Sequence, residues 1–268
     1  MRMSKVLKYF LLLVIGAVSV YFISMAIRKL TVGDEETRFV TDHFVITYRG
    51  IYANDVRRIG VVLEQNYDRI RNVLIDPPHD TIHVFIHPDQ QSFNDATGLI
   101  NSTANGTSRG PNAFHFIWTN WFNSIFPDDP EQTAIHEFTH CVQLNILIQQ
   151  ALMSNDYEND NAFVAAFEKR FAEAYPQWLW EAICTFEAGE LNRLSVWYGM
   201  RSQPTLRSLN NSNQVYNVGY TIMEYVATNW GEDKFPELIR EYGDLQKVLG
   251  VTEDEFEKGW WEFVEAKY

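Results

Sequence analysis

The chain has 268 residues, 46% of them hydrophobic and 15% aromatic. That is enough apolar material for one sizeable catalytic domain or two closely associated lobes, and too much for a disordered protein. Arg2, Lys5, Lys8, Arg28 and Lys29 put five positive charges and no acid in the first 30 residues, so the net charge of −13 becomes −18 over residues 31–268. A body that acidic repels phosphate backbones, and no nucleic-acid partner is expected.

Residues 9–27 (YFLLLVIGAVSVYFISMAI) are uncharged. At a rise of about 1.5 Å per residue, such a run nearly matches a ~30 Å hydrocarbon core, and basic residues flank it. Residues 1–30 are therefore expected to be a single membrane anchor, with the N-terminus cytoplasmic and the body outside. Ser24-Met25-Ala26 offers a signal-peptidase site, so secretion after cleavage is the alternative. Residues 31–37 form a polar tether, and a domain is expected over 38–268.

Within that domain, residues 43–48 (HFVITY) read as a strand, and residues 53–74 as an amphipathic helix with Val56, Ile59, Val62, Leu63, Ile70 and Leu74 on one face. Asp76-Pro77-Pro78 stops the helix, and residues 81–86 read as a second strand. A loop over 98–112, rich in Gly, Asn, Ser and Thr, leads to a third strand at 113–119. From Pro130 the pattern is almost wholly helical. The expected class is α+β, with a sheet lobe over 38–129, a helical lobe over 130–268 and the functional site at their seam. Cys141 and Cys184 are too few for a disulfide framework; they form one bridge or are simply buried.

The chemistry is concentrated in His136-Glu137-Phe138-Thr139-His140. Two histidines four residues apart lie above one another on a helix face and can reach a single ion, while the Glu beside the first can take a proton from metal-bound water. Asp129 as N-cap, Pro130 at the first helical position and Glu131 at the positive end of the dipole give this helix a clear start. Catalytic zinc needs a third protein ligand and leaves its fourth position to water.

Downstream lies PQWLWEAICTFE, residues 176–187. Here the chain resembles the gluzincins, the metallopeptidase group of thermolysin and the aminopeptidase N family, whose second helix carries W-L-x-E-G-x-A-x-Y with the Glu as third ligand. Trp178, Leu179 and Glu181 match that segment, while Ala182, Cys184 and Phe186 replace its Gly, Ala and Tyr. The resemblance implies one zinc per chain held by His136, His140 and Glu181. Glu187 points nearly opposite to Glu181 on the helix. The longer spacing from His140 makes residues 146–175 an inserted pair of helical segments or a lid. Val215-Tyr216-Asn217-Val218-Gly219 is similar to the V-Y-x-x-G segment of the aminopeptidase N family, which implies that Tyr216 donates to the oxyanion, with Tyr220 in reserve. Residues 249–261 resemble the closing helix of bacterial gluzincin-like domains, and Thr252 with Glu255 makes a capping box.

In a thermolysin-like arrangement the third strand, with His115 and Trp118, would be the sheet edge lining the cleft, where an extended peptide could add as a strand. His115 reads equally well as an exposed strand histidine, and His83 and His87 as the wetter face of their strand. The expected function is a membrane-anchored zinc peptidase that acts on a peptide or protein, with Glu137 as general base. The alternative is a catalytically inactive, membrane-tethered, zincin-like peptide-binding module, which would have no use for Glu137. An intramembrane protease is disfavoured by the polar surroundings of the motif and the lack of a second apolar span.

Overall fold

The computed structural model describes residues 35–100, 102–118, 129–154 and 160–268, with residues 16, 18 and 19. Apart from those three, the expected anchor over 9–27 lies outside the described residues. No helix among the described residues is long and apolar enough to cross a membrane.

The chain opens with strands β1 (Thr37–Val40) and β2 (Phe44–Tyr48), then helix α1 (Ala53–Leu74), strand β3 (Ile82–His87) and helix α2 (Gln90–Thr97). Strands β4 (Gly106–Ser108) and β5 (Ala113–Ile117) follow. The sheet order is β1-β2-β3-β5-β4, with β2, β3 and β5 parallel and the two outer strands antiparallel to their neighbours. The helical part comprises α3 (Pro130–Ser154), α4 (Asp160–Ala174), α5 (Gln177–Glu187), α6 (Arg193–Met200), α7 (Leu206–Leu209) and α8 (Val215–Asn229). A 3-10 turn and α9 (Phe235–Arg240), α10 (Leu245–Leu249) and α11 (Glu253–Lys267) complete it.

Period-two alternation explains how the sheet packs. Phe44, Ile46, Ile82, Val84, Phe114 and Phe116 are fully buried on one face. Against them lie Val56, Ile59, Leu63 and Ile70 of α1, and Phe138 of α3 stacks on Tyr67 at 5.7 Å. One continuous cluster runs from these residues through α5 and α8 to Trp260 of α11. The mixed α+β architecture is as expected.

Three elements were not expected from the sequence: β1, α2 and β4. They alter the reading of the histidines. His87 is buried, not on a wet face, because α2 covers that side and sets Phe93 edge-on to its ring at 5.7 Å. His115 is half-buried and not exposed, with its Nδ1 3.0 Å from His87 Nε2. Nor is β5 the sheet edge: β4 pairs outside it, through Thr107 opposite His115.

Two packing details fix the helices of the helical lobe. Gly219 of α8 lies so close to α5 that a Cβ there would be 3.1 Å from Ala182 Cα, so both positions must be small. Of the segment 146–175, the described residues 146–154 and 160–174 are helical. The partly buried Phe163 and Phe171 and the buried Phe167 and Tyr175 form a stacked series leading to Trp180, with Phe171 and Trp180 5.2 Å apart.

Candidate metal centre

Asp129 starts α3 as its composition suggests. Its Oδ1 accepts from Glu131 N–H at 2.9 Å and its carbonyl accepts from Thr133 N–H at 2.9 Å. One turn on, the rings of His136 and His140 stand 4.8 Å apart and nearly perpendicular. Both turn Nε2 towards the same carboxylate oxygen, Glu181 Oε2, at 3.2 Å and 3.5 Å. His136, Glu137, His140 and Glu181 are all buried.

The far nitrogens are held too. His136 Nδ1–H donates to Glu190 Oε2 at 3.1 Å, and His140 Nδ1 lies 3.0 Å from Cys184 Sγ. Gln143 Nε2 donates to that sulfur at 3.1 Å, and Trp180 stacks on the His140 ring at 4.0 Å. A proton on each Nδ1 would free both Nε2 lone pairs for an ion, the tautomer that metal ligation requires. Behind the sulfur, Tyr175 donates to Gln143 Oε1 at 2.9 Å, so the inserted segment braces the centre from behind.

The donor set suits a divalent cation. Glu137 Oε2 is buried without a hydrogen-bond partner among the described residues, which is what a carboxylate reserved for a metal-bound water would show. The buried group His136, His140 and Cys184 could also hold an ion, since one donor atom from each comes within 4.8 Å of the others. The two sets differ in side: Glu181 lies before both Nε2 atoms, whereas Cys184 lies behind His140 and is engaged by Gln143.

Electrostatics follow from this crowding. Burial pulls His136 down, but Glu190 and Glu181 outweigh it and hold its pKa well above the ordinary value. Burial dominates for His140, whose pKa is lowered despite Glu181. Burial works against ionised Glu181, but hydrogen bonds from both histidines hold its pKa far below the usual carboxylate range. Glu137 is pushed up to about 8 by burial, the charge of His136 partly offsetting those of Glu181 and Glu190. A proton on His136 thus supplies positive charge that a bound dication would supply instead.

No family model matches the chain, and no curated protein does. Among solved structures, an aminopeptidase N family protein from Idiomarina loihiensis is similar with a TM-score of 0.40 and 13% identity, over 82% of this chain and 42% of that one. The chain therefore spans less than half the length of that protein. Likeness at this level supports no functional argument, and the reading rests on the centre itself.

The centre opens into a cleft of about 880 Å³, lined on one side by residues 102–108 and on the other by Trp180, Glu190 and Tyr216. Tyr216 Oη donates to Glu181 Oε1 at 3.0 Å; burial, then the Glu181 charge, raises its pKa. Tyr220 instead packs on Phe186 at 5.2 Å and does not line the cleft. Glu187 is turned away and bound to Arg69. His115 and Trp118 do not line the cleft; β4 does. The two cysteines are free and buried, so the bridge does not form.

Sequence reasoning missed Glu190, Gly106 and the setting of Cys184. Glu190 follows Gly189, whose left-handed backbone (φ 69) ends α5 and turns the chain back towards His136. A glycine just past a helix end, followed by an acid, was the available signal.

Proposed function

We propose that the protein is a zinc metallopeptidase in which His136, His140 and Glu181 hold one metal ion and Glu137 is the general base. The observation that carries this reading is the convergence of two Nε2 atoms on Glu181 Oε2 beside the partnerless buried oxygen of Glu137. Two imidazoles and a carboxylate, with room for water, form a catalytic type of zinc site rather than a closed, cysteine-rich structural one.

Zinc held there would supply a Lewis acid and a water that loses its proton near neutral pH. Glu137 Oε2 would accept a proton from the attacking water and hand it to the leaving amine. Tyr216 Oη turns from Glu181 to donate to the oxyanion that develops on the substrate carbonyl. Glu190 and Cys184 keep the imidazoles oriented. The edge strand β4 supplies main-chain groups along which an extended peptide or protein segment can lie. Peptide hydrolysis is favoured over the catalytically inactive binding module because a purely binding site gains nothing from the buried Glu137. Residues 9–27 would anchor the body on the extracytoplasmic side of the membrane, and no nucleic acid is involved.

The test is digestion of an unbiased peptide library by residues 31–268, with and without chelator, alongside elemental analysis. Chelator-sensitive cleavage with one zinc per chain is expected. Absence of zinc after metal-replete purification, or zinc without cleavage, overturns the proposal.

A further inference from the structure

We propose that a side branch of the cleft, between the end of α6 and the start of α8, is a subsite for a substrate carboxylate, recognised by Arg201. This rests on the peptidase reading and concerns which peptides are taken. The branch is a cavity of about 610 Å³ lined by Tyr198, Arg201, Ser202, Asn213, Gln214 and Asn217. It shares Asn213 and Asn217 with the metal cleft. Asn217 follows Tyr216, whose hydroxyl reaches Glu181, so the branch adjoins the centre.

Charge decides what it takes. The acidic residues lining the metal cleft are Asp129, Glu137, Glu181 and Glu190. Among the described residues, Arg201 is the only lysine or arginine lining either cavity. In a body of net charge −18 it gives a carboxylate one favourable place near the centre.

The guanidinium is held yet free to bind. It lies over the Trp197 ring at 4.8 Å, and no salt bridge to it forms among the described residues. Stacking uses the plane of a guanidinium and leaves its N–H edge for a bidentate carboxylate. The ground beneath it is firm: Gln214 Nε2 donates to Gly199 O at 2.5 Å and to Ser202 Oγ at 2.9 Å. Gly199 also packs so tightly on α8 that a Cβ there would be 2.7 Å from Val218 Cγ1. Tyr198, which lines the branch, is 69% exposed and adds an aromatic wall open to a ligand. An acidic side chain or the C-terminal carboxylate of a peptide fits this chemistry.

The test combines cleavage with binding, using the full chain loaded with zinc. Peptides carrying Glu, Gln or Lys at each position in turn, with free or amidated C-termini, are digested by the wild type and by Arg201→Glu. Binding of the same peptides, fluorescently labelled, is measured with Glu137→Gln and with Glu137→Gln/Arg201→Glu. The wild type should favour Glu over Gln at one position by about 3–10-fold, and Arg201→Glu should abolish that ratio or turn it towards Lys. A preference that follows the free C-terminus instead names the terminal carboxylate as the ligand. Cleavage with a Glu:Gln ratio indifferent to Arg201 overturns the subsite and leaves the peptidase. Arg201-dependent binding without cleavage keeps the subsite and overturns the peptidase. Neither cleavage nor binding overturns both.

Discussion

Glu137 occupies the space that a side chain at Gly106 would need: a Cβ built on Gly106 would lie 2.6 Å from Glu137 Cδ. The edge strand and the proposed general base are therefore in contact through a residue that has no side chain. Gly106→Ala should move one or the other. A displacement near 1 Å at the reacting groups can cost about 10²-fold in rate, so kcat should fall by about that factor while zinc content stays near one per chain. Steady-state kinetics with metal analysis checks this; an unchanged kcat would show that the contact does not position Glu137.

Replacing Glu137 with Gln keeps the shape of the side chain and removes its ability to accept a proton. Zinc content and Tm should be close to wild type, and kcat should drop about 10²–10⁴-fold. Full activity in a zinc-loaded variant would remove Glu137 from the mechanism.

The ligand set can be read from cobalt. In the Co(II)-substituted protein, a cysteine ligand gives an intense sulfur-to-metal charge-transfer absorption in the near ultraviolet, and carboxylate ligation does not. No such band is expected, and Glu181→Ala should lose the metal while Cys184→Ala retains most of it. A charge-transfer band that vanishes in Cys184→Ala would place the sulfur on the ion and make Glu181 its outer partner.

Glu190 holds His136 from behind. Outer carboxylates of this kind typically contribute about 10–100-fold to metal affinity, so Glu190→Gln should weaken zinc binding by that order in competition with a chromophoric chelator. Wild-type affinity in that variant would reduce the contact to an incidental one.

The His87–His115 pair makes the sheet sensitive to acid. Burial, followed by the charge of Arg49, lowers the His87 pKa to about 4; burial, followed by His87 and Arg109, does the same for His115. The unfolded chain takes up these protons near pH 6.5, while the folded chain resists until about pH 4. The stabilisation is complete above pH 6.5 and is lost as pH falls towards 4. Tm measured from pH 7.5 to 4 should fall less steeply in His87→Gln/His115→Gln than in the wild type. Parallel curves would remove the pair from the acid response.

What could be read in the sequence is what local periodicity carries. The helix over 53–74 and the HEFTH segment declare themselves within a few turns, and so does the segment containing Glu181. The structure brings His136, His140, Glu181 and Tyr216 together, although the last two lie far along the chain. Gly106 and Cys184 depend on which elements become neighbours, and no short-range pattern marks them; for Glu190 the one local sign is the glycine before it. Strand β4 has only three residues, without the alternation of a buried strand, so it was hidden in a polar loop. The edge was consequently assigned to β5. His87 misled for a related reason: alternation places it on one face of its strand but does not reveal that α2 will cover that face.

Arg69 of α1 reaches across to α5 and grips Glu187 twice, through the carboxylate at 2.5 Å and the backbone carbonyl at 2.7 Å. It fastens the sheet-side helix to the helix that carries Glu181, and the Glu187 side chain is only 1% exposed. A hinge that swung the sheet away from the helices would have to strip a buried carboxylate of its partner, which is costly. The cleft is accordingly a standing trough and not a jaw. On the peptidase reading, a substrate would enter without the sheet swinging away from these helices.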